Sequence, residues 1–82
     1  MFYDNTKTIY EVSAYHDAEN PQEPCYMDKF RSKELAIREA RSVKGRYARV
    51  EVISIEVDGN DPNNLLGENG VLAIWKYGKK IF

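Results

Sequence analysis

The sequence predicts an α+β domain in which an antiparallel sheet of three to four strands carries one α-helix on one face. Runs rich in β-branched and aromatic residues lie on both sides of a single segment with apolar residues at helical spacing. The resulting order, β-β-α-β-β, favours an antiparallel sheet with the helix packed against it. The length of 82 residues corresponds to one domain, 1–82.

Two short strands are predicted before the helix. Residues 8–16 (TIYEVSAYH) form the first strand, and residues 17–24, which are acidic and contain two prolines, form a loop. Residues 25–30 (CYMDKF) form a short second strand in a hairpin with the first. If this second strand does not form, the order becomes β-α-β-β.

The predicted helix occupies residues 32–46. Ser32 is a suitable N-cap, because its hydroxyl can accept a hydrogen bond from an early helical N–H. Gly45 is placed to end the helix. One apolar stripe follows the helical period, at Ala36, Ile37, Ala40 and Val43.

The strand at 47–57 (YARVEVISIEV) changes its apolar face halfway along. Val50 and Val52 share one face, whereas Ile53 and Ile55 share the other. Either a β-bulge lies near Val52–Ile53, or both faces are covered there. Residues 58–70 are predicted to be a long, turn-rich connection, and residues 71–78 the last strand.

The two C-terminal strands are apolar on both sides, yet a single helix can cover only one face of a sheet. A monomer seldom exposes a large apolar surface. We therefore expect the second face or an edge strand to be covered by the termini, by a second copy of the chain or by a partner.

The net charge of −1 is unevenly distributed. Residues 29–49 contain eight basic and two acidic side chains and carry +6, so the remainder carries −7. Arg38 and Arg41 lie on the predicted solvent side of the helix. Such a face is either a solvated surface, a protein contact or a site for nucleic-acid phosphates. The low sequence pI, about 5.8, argues against nucleic acid.

No catalytic or metal-binding signature stands out. His16 and Cys25 are single residues at the two ends of a loop, without a recognised nucleophile motif. The loop at 58–64 lacks the glycine that an EF-hand requires at its sixth position. We therefore expect neither an enzyme nor a metal or cofactor. A single cysteine, no signal-peptide pattern and no long apolar run favour a cytoplasmic protein.

The stretch CYMDKFRSKELAIREARSV followed by YARVEVISIEV resembles, within residues 8–57, very short accessory proteins of phages and mobile elements. The resemblance implies a cytoplasmic, non-enzymatic protein of β-β-α-β-β order. Some proteins of that kind inhibit host defence machinery, including CRISPR effectors, by binding to it, as an anti-CRISPR does. The pattern specifies packing positions, so it assigns no functional residue.

Together, these observations predict a small binding protein that occludes a site on a larger host protein. The expected aromatic anchors are Tyr10, Tyr15, Trp75 and Tyr77, with Arg38 and Arg41 as charged contacts. Two alternatives remain open. One is a nucleic-acid-binding module that uses the basic helix 32–46, and the other is a structural homodimer with the last strand at its interface.

Overall fold

The computed structural model describes residues 6–19 and 23–82, apart from the side chain of Pro62. Within these residues, five strands form one antiparallel sheet in the order β2-β1-β3-β4-β5, and one helix packs on one face of it. The element bounds are β1 Thr6–Tyr15, β2 Tyr26–Phe30, α1 Lys33–Val43, β3 Arg49–Asp58, β4 Asp61–Lys76 and β5 Lys79–Lys80. The α+β class, the antiparallel sheet and the single helix are confirmed, but the sheet has one strand more than predicted.

The β1–β2 hairpin is confirmed, with Tyr10 opposite Phe30 and Ala14 opposite Tyr26. β1 also pairs with β3 along its whole length without a register shift. β1 therefore lies between two antiparallel partners. Its even-numbered residues, which include the buried Val12 and Ala14, lie on the helix face. The predicted loop at 17–24 lies partly outside the described residues, as do residues 1–5 at the start of the chain.

The helix begins where the sequence indicates. The Ser32 hydroxyl accepts a hydrogen bond from the N–H of Leu35 at 3.4 Å, and the Ser32 backbone is extended, as an N-cap should be. The helix ends at Val43, earlier than predicted. Gly45 follows in a turn but has no positive φ, so it is not a left-handed cap.

The core lies between α1 and the middle of the sheet. Ala36 and Ala40 are fully buried, because their small side chains let the helix backbone approach the strands closely. The buried cluster consists of Val12, Ala14, Ala36, Ala40, Val43, Val50, Val52, Ala73 and Trp75. All of its strand residues lie on the helix face by register.

The predicted change of apolar face along β3 coincides with an irregularity in the pairing of β3 with β4. The β3–β4 register shifts between Val52 and Ile53, and burial also changes sides, because Val50 and Val52 are buried under the helix while Ile55 and Val57 are buried on the opposite face. Both of the open alternatives, a bulge and covered residues on both faces, therefore occur together.

The prediction of a long connection at residues 58–70 is wrong. A two-residue turn at 59–60 joins β3 directly to β4, which starts at Asp61. The turn is closed by the Asn60 N–H, which donates to the Asp58 carboxylate at 2.9 Å. The register shifts along β4 take up the extra residues of this polar segment, so it pairs with β3 despite its low β-propensity.

Among the described residues, no helix has the length and apolarity needed to span a membrane.

Candidate binding surfaces

Trp75 belongs to the core and not to a binding surface. Its side chain is 3% exposed and packs within the cluster under α1. Val50 lies opposite Trp75 on the neighbouring strand, and that position faces the helix. The prediction of Trp75 as an exposed anchor is therefore wrong, because the strand register directs the indole inward.

Tyr10 and Tyr15 are both half-buried, on opposite faces of β1. Tyr10 packs against the core cluster on the helix side. Tyr15 lies on the other side, where burial and then the nearby Glu51 carboxylate raise the pKa of its phenol. Neither ring is freely presented to a partner by the folded domain, although each keeps part of its surface in solvent.

Tyr77 is the predicted anchor that is most exposed, at 71%. It occupies the two-residue turn between β4 and β5 with φ of +52°, and the following Gly78 has φ of +80°. Positive φ at both central residues is the requirement of a type I′ turn. Asn or Gly normally fills the first position, so a tyrosine there is an unusual choice.

Arg38 and Arg41 are exposed on α1, as predicted. Among the described residues they line an open depression of about 420 Å³ with Lys33, Glu34 and the half-buried Ile37. Glu34 is held by the Ser32 hydroxyl, which donates to its carboxylate at 2.8 Å and lowers its pKa. The depression therefore carries three cations and one anion around one aliphatic side chain.

An aromatic cluster that the sequence did not indicate lies beside the helix. The rings of Tyr26 and Tyr47 are stacked with centroids 6.0 Å apart, and His16 lies 5.8 Å from Tyr47. The Tyr26 hydroxyl donates to the Glu39 carboxylate on α1, which raises the Tyr26 pKa well above its ordinary value. These residues come from four segments, so only the tertiary fold brings them together.

The contacts of His16 and Cys25 do not support a nucleophile–base pair. The Cys25 thiol donates to the carbonyl oxygen of Ala14 at 3.3 Å, and the His16 ring lies against Tyr47. Within the described part of the chain, no three His, Cys, Asp or Glu side chains are grouped so that they could hold a metal ion.

A basic surface forms where the end of α1 meets the β4–β5 turn. The Lys44 ammonium donates to the carbonyl oxygen of Gly78 at 3.3 Å, and the Tyr77 N–H donates to the carbonyl oxygen of Ala48 at 2.8 Å. We name it the basic turn surface, and it comprises Lys44, Arg46, Tyr77, Lys79 and Lys80. The two segments that form the basic turn surface lie about 30 residues apart in the sequence, and no sequence pattern predicts that they meet.

An apolar surface lies on the sheet face away from the helix. Ile53 pairs with Val71 across β3 and β4, and Ile74 follows on the same face. The N–H groups of Ile81 and Phe82 both donate to the Ile74 carbonyl oxygen, so these two residues extend the pairing beyond β5. We name it the apolar edge surface, and it comprises Ile53, Val71, Ile74, Ile81 and Phe82.

The apolar edge surface is only partly covered. Val71, Ile81 and Phe82 remain 40%, 54% and 61% exposed. Residues 81–82 cover part of the edge of β4, which is one of the expected roles of the termini, but they also expose further apolar surface to solvent. No other described strand pairs with the outer edge of β4 between residues 61 and 73.

Comparison with protein-family models, with curated proteins and with solved structures finds no match to this chain.

Proposed function

We propose that this chain is a non-enzymatic binding domain that covers a site on a larger protein through its apolar edge surface. The observation that carries the proposal is the concentration of exposed apolar side chains around Ile81 and Phe82, beside an unpaired strand edge. Contiguous exposed apolar groups mark interaction sites, and an open edge can accept a strand from a partner.

The proposed mode of action is steric. A partner that packs on Val71 and Phe82 would bury apolar area, while the backbone of β4 could supply hydrogen bonds along its outer edge. The five-residue apolar edge surface contains no ionisable side chain, so blocking fits it better than catalysis. The resemblance of residues 8–57 favours a host defence protein as the target, and the exposed Cys25 thiol fits a reducing cytoplasm as the proposed compartment.

The experiment uses a photo-crosslinking amino acid at position 82, in a lysate of the source cells. Met27 supplies the matched control site, because it is 53% exposed and lies on the same sheet face at the opposite edge. We expect a discrete protein adduct from position 82 that is absent from position 27. The adduct partner is then purified, and its affinity is measured for wild type, for Ile81→Ser with Phe82→Ser, and for Met27→Ser.

Loss of affinity in the Ile81/Phe82 variant, with native circular dichroism and unchanged affinity in Met27→Ser, supports the proposal. Three results overturn it: equal affinity in all variants, nuclease-sensitive material as the sole adduct of position 82, or an adduct of twice the chain mass. The last of these would establish the structural homodimer instead.

A further inference from the structure

The end of α1 and the β4–β5 turn form one surface, although they are far apart in the sequence. Lys44 reaches the carbonyl oxygen of Gly78 at 3.3 Å, and Ala48 accepts the N–H of Tyr77 at 2.8 Å. The backbones are also close, since a Cβ at Gly78 would lie 3.9 Å from the Lys44 carbonyl oxygen. Lys80 lies on the helix face of β5 and Lys79 on the other face, because they pair with Trp75 and Lys76, so cations from both faces of the sheet flank the volume of solvent around the turn.

This volume is strongly positive. Residues 44–49 and 76–80 carry six cationic side chains and no carboxylate. Two of the six are neutralised locally, because Arg49 pairs with Glu51 and Lys76 pairs with Glu19. Within the described residues, the other four have no ion-pair partner. They are Lys44, Arg46, Lys79 and Lys80.

Tyr77 stands among these cations in a conformation that a tyrosine does not favour. A left-handed backbone costs an L-residue roughly 1–2 kcal/mol, and at 71% exposure the ring recovers little through packing. Residues in strained conformations are concentrated at functional sites. The turn itself is explained by Gly78, but the choice of tyrosine beside it is not.

We propose that the basic turn surface binds single-stranded nucleic acid, with Tyr77 stacking on an unpaired base and the four cations contacting the flanking phosphates. Aromatic rings that stack bases inside a positively charged track are the usual parts of such sites. A protein partner fits this surface less well, because lysine is depleted from the cores of protein interfaces. A duplex fits poorly because its bases are already stacked.

The net charge of −1 does not oppose this assignment. The Glu51 and Glu19 carboxylates near this surface are already paired with Arg49 and Lys76, and a separate acidic group lies at the far end of the sheet. β3 runs from Arg49 beside the basic turn surface to Asp58 in the distal hairpin. Nine residue steps in an extended strand span roughly 30 Å, and the Debye length at physiological salt is about 8 Å. The distal carboxylates are therefore largely screened from the basic turn surface. They are Glu56, Asp58, Asp61 and Glu68.

The test is fluorescence anisotropy with labelled oligothymidylate and oligouridylate of about twelve nucleotides, within the range of single-strand sites, and with a duplex of equal length. Tyr77→Asn keeps a residue that suits the turn but removes the ring. We expect it to weaken binding roughly tenfold, since stacking contributes about 1–3 kcal/mol per base. Lys79→Gln with Lys80→Gln should reduce the salt slope by about 1.4, at about 0.7 per phosphate.

The matched control is Lys7→Gln with Lys29→Gln, which removes two exposed cations from other parts of the sheet. We expect it to bind as wild type does. The proposal is wrong if wild-type binding disappears at about 0.15 M salt, if the duplex binds as tightly as the single strands, or if the control weakens binding as much as the turn variants. A loss confined to Arg38→Gln with Arg41→Gln would move the site to the helix and also overturn it.

Discussion

The Lys44 ammonium donates a hydrogen bond to the carbonyl oxygen of Gly78 at 3.3 Å and so joins the end of α1 to the β4–β5 turn. A second bond, from the Tyr77 N–H to the carbonyl oxygen of Ala48, is formed on the same turn. Residues outside the hairpin, Lys44 and Ala48, therefore stabilise the turn in addition to the pairing of β4 with β5. Strained backbone conformations persist where the surroundings determine them in this way, which accounts for the left-handed Tyr77.

Tyr77→Asn should stabilise the domain. Asn adopts the left-handed conformation at a lower cost than tyrosine, and the exposed ring that is lost makes few contacts, so we expect the free energy of unfolding to rise by about 1 kcal/mol. Urea denaturation followed by circular dichroism measures the change. Tyr77→Ala is the control, because it removes the ring without easing the backbone. A less stable Asn variant would show that the ring packs against the domain.

Gly78→Ala should destabilise the domain by about 1–3 kcal/mol, because a φ of +80° strains any residue with a Cβ. The cost comes from the backbone and not from a clash, since the nearest atom to an added Cβ is 3.9 Å away. Gly45→Ala is a matched control with open space and no positive φ. We expect that control to be neutral or slightly stabilising, and equal losses in both variants would contradict the turn geometry.

Trp75→Ala should cost about 3–5 kcal/mol of unfolding free energy, as truncation of a buried indole does, and a domain of this size can lose its fold at that cost. Wild-type fluorescence gives an independent measurement, because Trp75 is the single tryptophan of the chain. We expect its emission to resist acrylamide quenching until the protein is denatured. Free quenching in the native state would restore Trp75 as a surface anchor.

The sequence was sufficient for the parts of the fold that have a regular period. The N-cap Ser32 and the apolar stripe from Ala36 to Val43 predict the helix, because apolar residues at helical spacing lie on one face, which packs against the sheet. The residues after Asp58 could not be read in the same way. Register shifts along β4 break the alternation that identifies a strand, so an extended partner of β3 looked like a loop.

The candidate surfaces were harder to predict for a different reason. Trp75 and Tyr77 are two positions apart and both aromatic, but one lies in a paired strand and the other in the turn that ends it. Only the strand register distinguishes the buried ring from the exposed one. In the same way, the β4–β5 turn meets the end of α1 through a hydrogen bond from Lys44 to Gly78 that no local pattern encodes.

Tyr26→Phe should reduce the loss of stability that the wild type shows at alkaline pH. The hydrogen bond to Glu39, and then burial, raise the pKa of Tyr26 above the ordinary value of 10.0. Above that pH the unfolded chain loses this proton while the folded chain keeps it. The stability contribution of the raised pKa is therefore complete below pH 10 and is lost as the pH rises further.

Urea denaturation at neutral and alkaline pH checks this expectation for Tyr26. At neutral pH the Phe variant should be less stable by about 1 kcal/mol, because the hydrogen bond to the Glu39 carboxylate is lost. Between pH 10 and the raised pKa, the difference between wild type and variant should shrink. Tyr77→Phe is the matched control, since it removes a hydroxyl from a ring that is 71% exposed and leaves the hydrogen bond between Tyr26 and Glu39 intact. A difference for Tyr26→Phe that stays constant with pH would show that Glu39 does not hold the Tyr26 proton.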